Sequence, residues 1–254
     1  MDQRRLDEEL LAQSTVLAEV VSGLAPGTTV VTCPAWSVRD LVRHVGSGHR
    51  WAGLIVTEPD GAPVPNLVVE PPEEQDQWRP WLIEGAQQLI TLVRAGDPDR
   101  PVWSWRPERT ARFWIRKLAH DTLIHRVDAE LTAGRPCRIP AEVAADGVAD
   151  LLDSIMALSS AEHPDPLFAA LAGDGQRLQF VATDAAPAIG RWHVQRTPTG
   201  VRWHAGMAPA HVRVAGTTRD LLLVLNRRLD PTHTDLEIDG DPTILTGWLA
   251  GSVF

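Results

Sequence analysis

One stretch of the sequence, residues 119–130, holds the side chains best suited to chemistry. Asp121 and His125 are four residues apart in it, so on a helix they lie one turn apart on the same face. A carboxylate and an imidazole placed in this way can bind one metal ion from one side, and a histidine from a second helix would be a third ligand. Three protein ligands leave a fourth position open, as a catalytic zinc ion requires. The alternative interpretation is a buried Asp–His hydrogen bond that only stabilises a helix pair.

The helix that must carry this pair is predicted over about residues 110–133, ending at Gly134. On a helical wheel Trp114 and Leu118 fall within about 60° of Asp121 and His125, so the four side chains form one stripe. Because the stripe is partly apolar, we expect it to face the protein interior. Two ionisable groups in that position are costly unless they are paired or bound to a metal. The adjacent His120 points elsewhere, and we expect a structural role for it.

A second predicted helix, residues 37–57, offers two histidines as the third ligand. Ser37 is the expected N-cap, and Asp40 three residues later completes a capping box. Spacing puts His49 near the centre of the apolar stripe and His44 on its flank. Periodicity slightly favours His49 and leaves the choice open.

The remaining elements predict an α+β protein with two domains. Besides the two helices above, helices are predicted at 3–24 and 73–95, which together make a four-helix bundle, a usual place for metal sites. A bridging helix is predicted at 141–159. Alternating patterns and turn residues then predict strands at 177–184, 191–197, 200–205, 211–215 and 234–239. Helices are expected at 220–228 and from Pro242, with Asp241 as N-cap. We expect one domain over residues 1–140 and a second over 141–254.

Composition limits the possible functions. The chain has 254 residues, 44% of them hydrophobic, and a net charge of −9, which does not suit binding to nucleic acid phosphates. No stretch approaches the roughly 18 apolar residues of a membrane span. The charged N-terminus lacks the apolar run of a signal peptide, so we expect a cytoplasmic protein. Cys33 and Cys137 form no paired motif, and we expect both to be small packed residues.

Four segments resemble the mycothiol-dependent maleylpyruvate isomerase family of actinobacteria. They are Thr32–Gly46, Lys117–Glu130, Pro140–Asp150 and Leu236–Gly251. The resemblance implies a DinB-like four-helix bundle that binds zinc, or another divalent metal, followed by a small sterol-carrier-like α/β domain. By position it also implies His44, rather than His49, as the ligand that joins Asp121 and His125. The family usually has glutamate where this chain has Asp121; aspartate is also a zinc ligand, but it is one methylene shorter.

The resemblance implies an enzyme that activates a small-molecule thiol, mycothiol, for isomerisation of, or transfer to, an electrophile of the maleylpyruvate type. A basic residue at the end of an apolar helix in the second domain would contact substrate, and Arg228 is the nearest match, with Arg227 beside it. A guanidinium there can pair with a carboxylate or simply lie at a helix C-terminus favoured by the helix dipole. We expect a monomer that binds only small molecules.

Two alternatives remain open at this point. One is an enzyme on the same scaffold that uses a zinc-bound water and needs no thiol. The other is a non-catalytic member that responds to metal or binds a ligand. Among the side chains near the pair, we expect Asp128 to form a surface salt bridge, with an outer partner for a ligand histidine as its other role. We expect Trp36, Trp51 and Trp114 to belong mainly to the core.

Overall fold

The computed structural model describes residues 1–160 and 166–252. The chain divides into two compact units, Met1–Cys137 and a second that starts at Arg138. The first is helical and the second is built around a small sheet, so the predicted α+β class is confirmed. None of the helices in these ranges is both long and apolar enough to cross a membrane.

Four helices form the first unit, and each begins or ends where a local signal requires it. They are α1 (Gln3–Ser22), α2 (Val38–Thr57), α3 (Trp78–Ala95) and α4 (Ala111–Thr132). The predicted capping box is present, because the Ser37 amide donates to Asp40 and the Asp40 amide donates to the Ser37 hydroxyl. The third helix was predicted to start too early, because residues 75–77 form a separate 3-10 turn.

The helices pack as a bundle, with α1 against α3 and α4 and with α2 against the same two helices. Its interior holds two apolar clusters. One lies around the fully buried Trp78 and Leu82 of α3. The other contains Phe113 and Trp114 of α4, and the half-buried Trp51, Trp103 and Trp105 pack against it. Burial of such large aromatic side chains supplies much of the bundle's stability, and the second cluster also forms the floor of the site described below.

A short antiparallel strand pair before α2 was not predicted. It consists of β1 (Thr29–Val30) and β2 (Cys33–Ser37). Its two-residue first strand and the Pro34 in its second give no alternating pattern, which is why the sequence did not indicate it. The pair matters because β2 carries Trp36 into the candidate site.

The second unit has a five-stranded mixed sheet. Helix α5 (Ala141–Ser159) leads into it. The strands are β3 (Arg177–Ala182), β4 (Arg191–Thr197), β5 (Gly200–Ala205), β6 (Val212–Gly216) and β7 (Glu237–Gly240), and the helices that accompany them are α6 (Thr218–Leu225) and α7 (Pro242–Gly251), with a 3-10 segment at 166–171. The strands lie in the order β5-β4-β3-β6-β7, with β3 parallel to β6 and every other pair antiparallel.

Several predicted bounds in this unit are confirmed and others are wrong. The strand predicted at 177–184 ends at Ala182, and the strand predicted at 211–215 is Val212–Gly216. The strands at 191–197 and 200–205 and the α7 start, with Asp241 as N-cap, are as predicted. The predicted strand at 234–239 begins only at Glu237, because residues 231–233 form a 3-10 turn. The predicted helix at 220–228 already ends at Leu225. Arg227 has a φ of +61°, a left-handed conformation that no helix continues through.

Candidate metal centre

His44 of α2 and Asp121 and His125 of α4 come together on one side of the bundle. The His44 Nε2 atom lies 3.7 Å from Asp121 Oδ2, and His125 Nε2 lies 4.0 Å from the same oxygen. One potential ligand atom from each residue lies within 4.8 Å of the other two. Tetrahedral zinc with bonds of about 2.1 Å would hold its ligand atoms about 3.4 Å apart. Small side-chain movements would therefore bring the three ligand atoms to bonding distance of one ion. Among the described residues, no other group of histidines, cysteines and carboxylates has this spacing.

The α-helical repeat and the packing of α2 on α4 create this arrangement. Asp121 and His125 are one turn apart on α4, and His44 faces them from α2. His49, which the spacing favoured, lies elsewhere: it is fully buried and its Nε2 is 2.9 Å from the Thr122 hydroxyl. Burial lowers the pKa of His49 to about 4, so this histidine is a neutral core residue.

Asp128 holds one of the three side chains in place. Its carboxylate is completely buried and accepts a hydrogen bond of 2.9 Å from His125 Nδ1 and one of 2.6 Å from the Thr32 hydroxyl. The predicted surface salt bridge is therefore wrong, and the outer-partner interpretation is the one that the geometry supports. Since Asp128 can only accept, the proton of His125 is assigned to Nδ1, which leaves the Nε2 lone pair directed to the Asp121 side.

The charges of the cluster favour an ionised carboxylate. Burial alone would raise the pKa of Asp121, but its interaction with His44 and the nearby His125 and Lys117 hold that pKa well below its usual range. Burial likewise pulls the pKa of His44 down, but the Asp121 carboxylate outweighs it, and the pKa of His44 is raised. The Asp121 carboxylate is therefore ionised at neutral pH, and a metal ion at His44 competes with a proton that this carboxylate stabilises.

Trp36 fixes the orientation of both imidazoles. The centre of its ring lies 4.8 Å from that of His44 and 5.7 Å from that of His125, and the two imidazoles are 4.6 Å apart. Trp36 is half-buried and was expected in the core, as was Trp51, which is also half-buried. Of the three predicted core tryptophans, only Trp114 is almost fully buried, with 1% of its surface exposed.

The cluster opens into a cavity of about 540 Å³. Its walls are mainly apolar and come from Trp51, Trp105, Trp114 and Leu118, and His44 and Asp121 form part of its lining. The exposed surface of these two residues therefore faces a recess rather than a convex surface. Such a recess, with apolar walls and a few polar groups, is typical of a small-molecule site.

A loop that the sequence did not associate with the site closes one side of the cavity. Its residues 66–68 are part of the lining. Two side chains of α2 hold it: the Ser47 hydroxyl bonds to both the amide and the carbonyl of Val69, at 2.9 and 3.2 Å, and the Trp51 indole donates to the Val64 carbonyl at 3.1 Å. The prolines around this loop indicated only a connection, so its pairing with α2 had no signal in the sequence.

The cysteines and the predicted arginine complete the set of sequence-derived candidates. Cys137 is buried, and Cys33 is half-buried with its Sγ atom 3.9 Å from Asp128 Oδ2. Arg228 belongs to the second unit, just after α6, and its Nη1 donates to the Asn226 carbonyl at 2.8 Å. That contact is the one expected of a basic residue at a helix C-terminus, and the substrate contact of Arg228 stays a prediction.

Comparison with known proteins gives a consistent result for both halves of the chain. Residues 8–130 match the family model described as mycothiol maleylpyruvate isomerase N-terminal domain, and residues 142–247 match the MDMPI C-terminal domain. The crystal structure of the mycothiol-dependent maleylpyruvate isomerase is 14% identical in sequence, covers 91% of both chains and superposes with a TM-score of 0.59. A histidine-to-alanine mutant of that isomerase covers 90% of both chains at 14% identity, with a TM-score of 0.57. At such low identity the superposition shows a shared fold. A search of curated proteins gave no match.

Proposed function

This chain belongs to the mycothiol-dependent maleylpyruvate isomerase family, and on that premise we propose that it is a metal-dependent enzyme that uses mycothiol. The reaction is cis–trans isomerisation of an electrophilic unsaturated acid of the maleylpyruvate type, or transfer of the thiol to it. The observation that carries the proposal is the cluster of His44, Asp121 and His125 at the wall of an apolar cavity.

The donor set fits a zinc ion or a similar divalent metal. Two imidazole nitrogens and one carboxylate would hold the ion, and the buried Asp128 carboxylate behind His125 is the kind of outer partner that such sites use. Three ligands on one side leave the cavity side open for another molecule. When bound, the metal keeps a thiol deprotonated at neutral pH and so supplies a nucleophilic thiolate.

The protein's own residues position the reactants. Trp36 and Asp128 hold the two imidazoles, and the indoles of Trp51, Trp105 and Trp114 exclude water from the cavity in which the electrophile binds. Addition of the thiol to the conjugated double bond moves its electron pair onto the adjacent carbonyl and leaves a single bond that can rotate. Elimination of the same thiol then gives the other geometric isomer, whereas protonation without elimination gives the transfer product.

We keep Arg228 as the proposed catalytic arginine, a residue that pairs with a substrate carboxylate or with the developing enolate. Arg228 follows the end of α6, and Arg227 beside it forms a left-handed turn. The backbone that carries the Arg228 side chain is therefore held in one conformation. Arg228→Lys retains the charge but not the two-pronged geometry. We expect it to lower kcat/KM without changing metal content.

The test is a spectrophotometric isomerisation assay on maleylpyruvate, with mycothiol and zinc each added or omitted. We expect turnover only when both are present, and a loss of activity in His44→Ala and His125→Ala of at least a hundredfold. Asp121→Glu should retain metal and activity. The exposed His233→Ala is the matched control and should behave like the parent.

Two outcomes would overturn the proposal. Turnover without any thiol would indicate a reaction of zinc-bound water instead. A folded protein that binds zinc but converts no electrophile with mycothiol, or that binds neither, would indicate a non-catalytic, ligand-binding or metal-responsive member of the family.

A further inference from the structure

Lys117 stands out in both the sequence and the cavity. It is the only lysine among the 24 basic residues of the chain; the other 23 are arginine. It lies on α4, one turn before Asp121, and lines the cavity together with Trp114, Leu118 and Asp121 of the same helix. A chain that uses arginine at every other basic position has its one compact ammonium group at the wall of the candidate site.

The chemistry of the two basic groups explains why this position differs. A guanidinium is a wide planar fork, whereas an ammonium is a compact point charge on a flexible four-carbon stem. At the position of Lys117 on α4, between Trp114 and Asp121 in sequence, an ammonium can approach a bound anion from one side without filling the cavity. Its charge reaches the cluster, since it opposes the rise in the pKa of His44 and helps to hold the pKa of Asp121 low.

Arg43 also lines the cavity, and it pairs with neighbouring carboxylates. Arg43 donates to Asp40 at 2.8 Å and lies 3.3 Å from Glu70, and both partners are on its own side of the cavity or on the adjoining loop. These two carboxylates compensate its charge. Lys117 lies about 6 Å along the helix from Asp121, so one small molecule can contact both.

We propose that Lys117 binds the carboxylate of an apolar, planar unsaturated acid whose hydrocarbon part lies against Trp51, Trp105 and Trp114. The cavity walls are mainly indole and aliphatic surface, so an aromatic acid fits them better than a small diacid does. That this acid is the electrophile rests on the proposed function; that it binds at Lys117 does not. Lys117 would hold the carboxylate one helical turn from the cluster, which places the conjugated double bond between them.

The test measures binding alone, by calorimetry and without thiol. The ligands are trans-cinnamate, its neutral isostere cinnamamide, and the small diacid fumarate. We expect the parent to bind cinnamate at one site and the other two at least tenfold more weakly, because each lacks one of the two recognised parts. Lys117→Gln should weaken cinnamate binding about tenfold or more and leave cinnamamide binding unchanged. Arg79→Gln, which removes an exposed positive charge from α3, is the matched control.

A second readout uses the uniqueness of the lysine and needs no variant. An amine-selective acetylating reagent can modify only Lys117 and the α-amino group, and mass spectrometry of the peptides gives the extent of each reaction. Cinnamate should slow the modification of Lys117 at least several-fold and leave the α-amino group unaffected. This readout decides the question if Lys117→Gln does not fold.

The proposal is overturned if cinnamate does not bind, if Lys117→Gln binds it as tightly as the parent, or if it does not protect Lys117. Equal or tighter binding of cinnamamide would contradict recognition of the carboxylate, and tighter binding of fumarate would contradict recognition of the apolar part. Failure of the proposed function would look different. In that case cinnamate binding and protection would be intact, but no thiol-dependent turnover of any unsaturated acid would occur.

Discussion

Replacing Asp128 with asparagine should weaken metal binding while leaving the three ligand residues in place. Asp128 is fully buried and its carboxylate accepts hydrogen bonds from His125 Nδ1 and from the Thr32 hydroxyl. Asparagine has the same shape but no charge, and its amide group can donate where the carboxylate only accepts. In the parent, the negative charge of Asp128 fixes the tautomer of His125 and makes its Nε2 atom a stronger ligand. The variant loses that charge.

The expected loss of metal affinity follows from that geometry. Loss of an outer carboxylate behind a ligand histidine costs about 10- to 100-fold in metal affinity, which corresponds to about 1.4–2.7 kcal/mol. Thr32→Val removes only the hydrogen bond to the far oxygen of Asp128. We expect a smaller loss for this variant, since His125 keeps its charged partner.

The assay is a competition titration of zinc against a chromophoric chelator at constant pH. Circular dichroism of each variant without metal checks that the bundle is folded, and the exposed Asp76→Asn is the control for loss of one negative charge. If the folded Asp128→Asn variant binds zinc within twofold of the parent, Asp128 does not support a metal ligand and the reasoning is refuted.

Three further predictions concern stability and are checked by urea unfolding. The pKa of buried His49 is about 4 in the folded protein and about 6.5 when unfolded. The stability that depends on a neutral His49 is therefore complete above pH 6.5, and about 3 kcal/mol of it is lost as the pH falls to 4. His49→Gln should remove this part of the pH dependence; plots of unfolding free energy against pH that run parallel for the variant and the parent would contradict it. Gly46→Ala should destabilise by about 1–3 kcal/mol, because the added carbon would overlap the Trp81 ring; a stabilised variant would show that Trp81 moves freely. Arg227→Gly should stabilise by about 1 kcal/mol, since Arg227 holds a left-handed conformation that suits glycine; a loss of stability would mean that its side chain makes a larger contribution.

Local signals predicted much of the architecture. The Ser37–Asp40 capping box and the Asp241–Pro242 start of α7 are both present as predicted, because such caps depend on a few adjacent residues. The strand pair at 29–37 and the loop held by Ser47 and Trp51 were missed. The strand pair is a local hairpin too short to show an alternating pattern, whereas the loop depends on contacts between segments 13 and 22 residues apart, which periodicity does not report.

The candidate site shows why periodicity alone favoured a histidine that lies outside the cluster. The centre of an apolar stripe faces the most deeply buried part of the core, and His49 lies there, neutral and bonded to Thr122. A residue that must reach both a neighbouring helix and a cavity belongs on the flank of the stripe, where His44 lies. The role of Asp128 was misjudged for a related reason, since only the fold shows that it is buried behind His125.

The central claim is that His44, Asp121 and His125 hold one metal ion. The most direct test is the metal content per chain, measured by elemental mass spectrometry on protein purified without chelator or affinity tag, beside His44→Ala and the control His233→Ala. We predict about one zinc per chain in the parent and the control, and almost none in His44→Ala. A folded parent that holds no metal even after zinc is supplied, or a His44→Ala variant that holds as much as the parent, would contradict the account.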